Sequence, residues 1–181
     1  MPVPGVAALR SRWRVPLGYV AGLVVLWLAR PMLLLLALGL GTAAVGEGIR
    51  LWASGHIEKT LRLATGGPYA HCRNPLYFGS VLMGLGAAAA AASPWVVLAV
   101  AVYFAAFYPS VMHSEADFLR KKFPEEYATW SRDVPLFLPR ITPGGPRESR
   151  FSWTRVALNR EWRTAAALPL VALLLYVRSL W

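Results

Sequence analysis

The sequence predicts an all-α integral membrane protein with about five transmembrane helices and an interfacial cytoplasmic helix after the fourth span. Its 181 residues are 56% hydrophobic and have a mean hydropathy of +0.44, whereas soluble domains are roughly 45–50% apolar. The apolar residues also gather into runs of helix length separated by polar, basic stretches. Because so short a chain has little interior, we expect lipid to cover this surface, in a single membrane domain over residues 1–181.

The first two spans are predicted over Val15 to Ala29 and over Pro31 to about Ala53. Basic residues precede the first run, as in a signal peptide, but Arg30 and Pro31 follow it without a small-x-small cleavage site. A second apolar run then starts at once, so we expect a retained first helix. Four glycines of the second span are small enough to let a neighbouring helix approach closely: Gly39, Gly41, Gly46 and Gly48.

Three further spans are predicted over Pro75 to Ala92, Trp95 to about Met112, and Ala165 to Val177. The last run is short for a bilayer crossing, which takes about 20 residues. Trp162 and Trp181 flank it and can anchor it at the two interfaces. With the N-terminus, the 54–74 loop and the 113–163 stretch inside, 17 of the 19 Lys and Arg residues lie at or beside the cytoplasmic face, and only Arg30 and Arg178 lie opposite. We therefore expect a multi-pass protein of the cytoplasmic membrane, with its N-terminus inside and its C-terminus outside.

The sequence argues against several classes of function. The net charge of +10 lies in the loops between apolar runs, which fits anionic lipid rather than nucleic acid. Cys72 is the only cysteine, so an intramolecular disulfide is impossible. No zinc-protease, P-loop or dinucleotide-binding motif occurs, and His113 stands alone, so we expect no metal site.

Residues 66–79 carry the most informative polar pattern. Asn74 and Pro75 predict a helix start, with Asn at the N-cap and Pro at the first helical position. The unpaired N–H groups of that helix end, together with Arg73, predict an anion site at the cytoplasmic surface. Aromatic side chains beside it can hold a flat base or a cation: Tyr69 and Tyr77. An ordinary loop entering a transmembrane helix remains the alternative.

Two further groups of polar residues are candidates. Glu47 and Arg50 share a helix face near the inner end of the second span, as a functional carboxylate or as a self-paired couple. Glu115 follows the fourth span, near the face that carries Arg73. It belongs to a predicted interfacial helix that breaks or restarts at Pro124 and includes these residues: His113, Glu115, Asp117, Phe118, Leu119, Phe123, Tyr127 and Trp130. Glu115 as a solvated surface charge stays open.

Two motifs in this chain resemble the isoprenylcysteine carboxyl methyltransferase family. The first is similar to the family's GPYxxxRHPxYxG signature and consists of Gly67-Pro68-Tyr69, Arg73-Asn74-Pro75, Tyr77 and Gly79. The second resembles the family's tail in order and spacing: Glu115, Leu119, Phe123, Glu125-Glu126-Tyr127, Trp130 and Val134-Pro135. Together they cover about residues 45–140.

The resemblance implies a multi-span membrane enzyme that takes its methyl group from S-adenosylmethionine and its substrate from the lipid. It implies catalytic roles for Arg73 and Glu115. By position it places these residues at the cofactor: Tyr69, His71, Arg73, Asn74, Pro75, Tyr77, Gly79 and Glu115. Asn74 stands where the family often has His, and Asp133 stands where eukaryotic relatives have a basic residue.

The leading hypothesis is therefore a methyltransferase acting on a lipophilic acceptor. The carboxylate of a lipidated, isoprenyl-type molecule is favoured, while a phospholipid amine and a small thiol remain open. A reductase similar to membrane sterol reductases is one alternative, and a non-catalytic scaffold or small transporter is another. Arg160 and Glu161 lie outside the matched motifs; they are speculative members of the site, and a surface ion pair is the favoured interpretation. The oligomeric state is left open.

Overall fold

The described part of the chain is helical throughout. The computed structural model describes residues 20, 23, 27–58, 62–146 and 148–180, and within these it contains no strand. Six α-helices follow one another, with a 3₁₀ helix at Gly67–Ala70 between the first two: α1 at Leu33–Ser54, α2 at Pro75–Ala91, α3 at Pro94–Lys122, α4 at Pro124–Asp133, α5 at Trp153–Leu158 and α6 at Trp162–Ser179. Most of the predicted first span lies outside the described residues.

Glycines bring α1 and α2 into direct backbone contact. A Cβ atom at Gly46 would lie 2.6 Å from the carbonyl oxygen of Gly79, and one at Gly79 would lie 2.5 Å from that of Gly46. Gly39 and Gly86 meet in the same way two helical turns along. The prediction of close approach is therefore correct for Gly39 and Gly46. It is wrong for the other two glycines of the second span, Gly41 and Gly48, which meet nothing within 4 Å.

The helices present apolar side chains outward. Both α1 and α3 are long and apolar enough to cross a membrane, and only 28% and 11% of their most apolar stretches are buried. The central helix of a soluble protein would instead be largely covered by other residues. Leu33, Leu34 and Val102 are all more than half exposed. Lipid is the solvent that suits such surfaces, so the protein associates with a membrane; five spans and their sidedness remain predictions.

The fourth predicted span and the interfacial helix form one continuous helix. The apolar run predicted that the fourth span ends near Met112, but α3 begins at Pro94 and continues to Lys122 over 29 residues. At 1.5 Å per residue it is roughly 43 Å long, against a hydrocarbon core of roughly 30 Å. In a bilayer crossed by its apolar part, the last turns of α3, with Glu115, would therefore extend beyond the hydrocarbon core. The restart at Pro124 is as predicted, because α4 begins there.

The C-terminal segment docks under the end of α1. The Asn159 side-chain amide donates to the carbonyl oxygens of Ser54 and Ile57, at 2.8 and 3.2 Å. These carbonyls belong to the region where α1 ends and lack helical partners. Arg160, at φ 59°, forms the junction between α5 and α6.

The expected surface pair of Arg160 and Glu161 is wrong. Glu161 is 7% exposed, and its carboxylate binds the guanidinium of Arg50, with an Nη2–Oε1 distance of 2.6 Å. A charge at a helix start can reach a distant helix only once the chain has folded, so local sequence could not show it.

Candidate functional site

A short loop between α1 and α2 carries the residues that the motifs singled out. Gly67 begins the 3₁₀ helix at φ +56°, a conformation open to glycine at little cost. A Cβ atom there would also lie 2.5 Å from the His56 ring. Asn74 is the N-cap of α2 and Pro75 its first residue, as predicted. However, the Asn74 side chain does not cap the helix; it donates to the carbonyl oxygen of Leu136 at 2.9 Å.

The segment after α4 clamps this loop through backbone hydrogen bonds. The Arg73 N–H donates to the Pro135 carbonyl at 2.8 Å, and the Gly144 N–H donates to the Ala70 carbonyl at 2.8 Å. The Trp130 indole N–H donates to the Tyr69 carbonyl at 3.0 Å, inside a buried cluster. The second sequence motif thus supports the first one physically, because its tail fixes the backbone on which Arg73 lies.

Arg73 and Glu115 line one cavity between the loop and α3. Its volume is about 240 Å³, and the predicted site residue Tyr69 also lines it. The rest of the wall is mainly apolar and aromatic: Ile57, Leu63, Ala64, Phe118, Leu119, Phe123 and Trp130. Three further charged side chains also line it: Glu58, Arg62 and Lys122. A mainly apolar wall with a few converging polar groups is the usual form of a small-molecule site.

Arg73 has hydrogen-bonding capacity to spare. Its Nη1 donates to the Tyr127 hydroxyl at 2.8 Å, and its guanidinium lies 5.8 Å from the centre of that ring. Its Nε is buried and has no hydrogen-bond partner among the described residues. A buried donor without a partner costs about 1–3 kcal/mol, more for a charged group. Arg73 lines the cavity, so its positive charge would favour an anion bound there.

Glu115 is held at the rim of the cavity by Tyr77. The Tyr77 hydroxyl donates to Glu115 Oε2 at 3.0 Å, and its ring packs edge-on against Tyr108 at a centroid distance of 5.3 Å. Glu115 itself is exposed. This hydrogen bond orients a carboxylate that is otherwise exposed.

The other predicted cofactor residues do not line the cavity. His71 directs Nδ1 at the Arg140 carbonyl at 2.8 Å, and Asn74 is bound to Leu136. Pro75 is buried as the first residue of α2, and Gly79 contacts α1. In this geometry these residues hold the loop and the start of α2 in place, whereas Tyr69, Arg73 and Glu115 line the cavity.

Burial raises the pKa of two weakly acidic side chains in the loop, the Tyr69 phenol and the Cys72 thiol. It raises the pKa of the Tyr69 phenol well above its usual value, with smaller effects from carboxylates that include Glu115 and Glu161. Burial also raises the pKa of the Cys72 thiol to about 11, against a small opposing effect of a backbone hydrogen bond at Asn74. Cys72 is 1% exposed. Both groups therefore remain protonated at neutral pH.

A second, more polar cavity adjoins the first. It measures about 540 Å³ and shares four wall residues with the smaller one: Glu58, Arg62, Leu63 and Ala64. Its other residues come from the start of the loop, α4 and the C-terminal segment: His56, Glu126, Glu148, Ser149, Arg150 and Arg155. The sequence predicted neither the four shared residues nor the contribution of the C-terminal segment to a cavity. A charged residue in a polar loop does not indicate which residues it faces in the folded protein.

A buried charged cluster lies between α1, α2 and the start of α6. Arg50 donates through Nε to Glu161 at 2.7 Å and through Nη1 to the Leu76 carbonyl at 3.3 Å and to the Ser80 hydroxyl. Glu47 Oε2 is 3.7 Å from Arg50 Nε, which is an ion pair without a hydrogen bond. The alternative of a self-paired Glu47 and Arg50 is therefore only half right, since Glu161 is the closer partner of Arg50.

No metal-binding cluster is evident in the part of the chain that the structure describes. Within it, no group of three or more His, Cys, Asp and Glu side chains is placed to hold an ion.

Comparison with known proteins places these features in a family. A family model described as phospholipid methyltransferase matches residues 26–126, which contain α1, α2 and α3. The cobalt-zinc-cadmium resistance protein CzcN of Cupriavidus metallidurans is 40% identical over 118 residues, covering 64% of this chain and 53% of that protein. The nickel-cobalt-cadmium resistance protein NccN of Alcaligenes xylosoxydans xylosoxydans is 38% identical over 120 residues, covering 64% and 54%.

This chain therefore spans about half the length of the curated relatives it matches. No solved structure matches it. The family match covers more than half of the chain and includes the loop, the cavity wall on α3 and the glycine contact of α1 with α2. The chain belongs to the phospholipid methyltransferase family.

Proposed function

We propose that this protein binds S-adenosylmethionine in the cavity lined by Arg73 and Glu115 and transfers its methyl group to a lipophilic acceptor. One observation carries the proposal: Arg73 lines the same cavity as Glu115, 42 residues later in the chain, and its buried Nε has no hydrogen-bond partner among the residues that the structure describes. The membrane family match supports the reaction class.

The cavity suits a zwitterionic, adenine-containing donor. Arg73 and Lys122 can pair with a carboxylate, while Glu115 can accept from an ammonium group. Tyr69, Phe118 and Trp130 offer aromatic surfaces to a flat base. The small cavity alone is below the roughly 300–1,000 Å³ of typical ligand sites, so we expect the adjoining polar cavity to take part of the donor.

Bound S-adenosylmethionine supplies an electrophilic methyl group on a sulfonium. The task of the protein is then to hold the acceptor in line and to exclude water, which can contribute roughly 7–11 kcal/mol in favourable cases. A carboxylate or thiolate acceptor needs no protein base. For an amine acceptor, Glu115 is the candidate base, because Tyr77 orients it and it is accessible. We place this site on the cytoplasmic face, following the distribution of basic residues.

Calorimetric titration of the purified full-length protein with S-adenosylmethionine, and with its demethylated product, tests the proposal. Arg73→Lys keeps the positive charge but replaces the guanidinium with a single ammonium nitrogen. We expect this variant to bind S-adenosylmethionine about 10-fold more weakly or worse, because it loses a charged hydrogen bond. Glu115→Gln should also weaken binding. Two exposed charges that do not line the cavity serve as matched controls, Arg132→Ala and Asp117→Asn.

Well-folded wild-type protein that binds neither compound would refute the proposal. A non-catalytic scaffold should also tolerate both cavity substitutions. Once donor binding is established, the acceptor can be identified with a radiolabelled methyl donor. The acceptor panel should contain an isoprenyl-type carboxylate, a phospholipid amine and a small thiol.

A further inference from the structure

Glu58 lies where the proposed donor cavity and the adjoining polar cavity join. It is one of four residues that line both spaces, together with Arg62, Leu63 and Ala64. Among these four side chains, only the Glu58 carboxylate can accept a hydrogen bond. Its side chain is 29% exposed, so a ligand can reach it. The junction therefore offers one charged acceptor to a molecule that extends from one cavity into the other.

Other carboxylates of the site are placed differently. Glu115 lines the smaller cavity alone, whereas Glu126 and Glu148 line the polar cavity alone. In the part of the chain that the structure describes, Glu58 is thus the acidic residue shared by both walls. A group in the middle of a long ligand would meet this residue first.

The C-terminal segment holds the Glu58 carboxylate in place. Arg155 of α5 donates through Nη2 to Glu58 Oε1, and it donates through Nη1 to the backbone carbonyl of Arg150. The guanidinium is therefore fixed between the carboxylate and the main chain. A carboxylate has two oxygens with about four acceptor positions, so this ion pair uses only part of its capacity. The rest can accept from a ligand that brings O–H donors.

Backbone contacts dock this segment on the loop that carries Glu58. The Ser152 N–H donates to the Gly55 carbonyl at 2.9 Å, and the Gly66 N–H donates to the Ser149 hydroxyl at 2.8 Å. The segment follows the matched family region, which ends at residue 126. The ion pair therefore joins the loop to a part of the chain that the family match does not cover.

We infer that Glu58 binds the ribose diol of the methyl donor and that Arg155 positions its carboxylate. The inference rests on the proposed function and names one contact within it. In S-adenosylmethionine the ribose lies between the adenine and the sulfonium, in the middle of the molecule, and the junction is the middle of the combined cavity. The 2′ and 3′ hydroxyls are neighbouring donors, and an acidic side chain accepts from ribose hydroxyls in the same way in dinucleotide-binding sites. Arg62, on the same shared wall, has donors only.

Calorimetric titration of the full-length protein in a neutral maltoside detergent tests this contact with three ligands. These are S-adenosylhomocysteine, the demethylated product, and its 2′-deoxy and 3′-deoxy analogues. Each analogue lacks one hydroxyl but keeps the base and the amino-acid group. We expect the wild-type protein to bind at least one deoxy analogue about 10-fold more weakly, because a hydrogen bond to a charged acceptor is lost. In Glu58→Gln, this preference for the ribose form should fall to about 3-fold or less.

Matched variants locate the preference. Glu125→Gln removes an exposed carboxylate of α4 that lines neither cavity, and it should keep the full preference. Arg155→Met removes the positioning charge and should lower the preference, whereas Arg163→Met, at an exposed position of α6, should not. A merely structural role of these residues would weaken all three ligands by the same factor.

The outcomes separate this inference from the proposed function. Wild-type protein that binds all three ligands equally overturns the inference alone, and so does a preference that survives Glu58→Gln. A Glu58→Gln variant that weakens the three ligands equally also contradicts the diol contact, because Glu58 would then only shape the cavity. Well-folded wild-type protein that binds none of the ligands overturns both the inference and the proposed function.

Discussion

Replacing Gly46 with alanine should push α1 away from α2, whereas the same replacement at Gly48 should stabilise the protein. The two glycines lie two positions apart on α1, one buried against α2 and the other exposed. The new methyl group at Gly46 would lie 2.6 Å from the Gly79 carbonyl oxygen and 2.9 Å from the Met83 nitrogen. Both are backbone atoms, which cannot rotate aside as a side chain can. At Gly48 nothing lies within 4 Å.

The magnitude follows from the displacement required. Carbon and carbonyl oxygen normally approach to roughly 3.3 Å, so the 2.6 Å contact demands a movement of roughly 0.7 Å between two helices that also meet at Gly39 and Gly86. Overpacking of this kind costs about 1–3 kcal/mol. Alanine at the exposed Gly48 should instead gain about 0.5–1 kcal/mol, because glycine loses more backbone entropy on forming a helix. The two variants should thus differ in sign.

Reversible unfolding in mixed micelles of increasing dodecyl sulfate content, followed by tryptophan fluorescence, measures both free energies. Gly41→Ala repeats the Gly48 control two turns earlier on α1, at another open position. If Gly46→Ala were as stable as Gly48→Ala, the close backbone crossing of α1 and α2 would be wrong. The measured order of the variants therefore tests the packing without reference to any ligand.

Three further predictions concern the charged cluster and the loop. Glu161→Leu leaves Glu47, at 3.7 Å, as the one carboxylate beside the Arg50 guanidinium among the described residues, so we expect a loss of about 3–5 kcal/mol in the same unfolding assay, much of it recovered in the double variant with Arg50→Met. Trp130→Phe removes the indole donor from the buried Tyr69 carbonyl and should cost about 1–3 kcal/mol; a change below 0.5 kcal/mol would refute that bond. Cys72, with its pKa raised to about 11 from 9.0, should carry about 100-fold less thiolate at pH 8 and resist maleimide until dodecyl sulfate unfolds the chain. The buried, protonated thiol contributes fully to the free energy of unfolding below pH 9, and this contribution is lost as the pH rises through 11. The free energy of unfolding should therefore fall more steeply with pH in that interval.

Much of the architecture could be predicted because lipid imposes strong patterns. Apolar runs of helix length predicted α1, α2 and α3 to within a few residues at their starts, and Asn74-Pro75 predicted the start of α2. The end of α3 could not be read in the same way. The sequence becomes more polar after Met112, but a helix continues until a residue breaks it. After Met112, the first residue of that kind is Pro124.

The candidate site was partly readable for a different reason. Arg73 and Glu115 were singled out by motif spacing, and both line the same cavity. Arg62 and Lys122 were not, because a basic residue in a loop or at a helix end is common and reveals nothing about its neighbours. The pairing of Arg50 with Glu161 joins positions 111 residues apart. Only the docking of Asn159 beneath α1 makes that pairing possible, and no local pattern encodes it.

The clamp on the loop has a consequence for how tolerant this region is to change. Arg73 is tied to Pro135, and Ala70 to Gly144, through main-chain atoms alone. These bonds need no side chain, but the packing around them leaves little room for exchange: Ala70 is 1% exposed, and a Cβ atom at Gly144 would lie 2.7 Å from Arg140 Nη1 and 3.1 Å from the Asp133 carbonyl oxygen. Small residues at these two positions therefore let the main chains meet, and a larger side chain at either one should loosen the segment that carries Arg73.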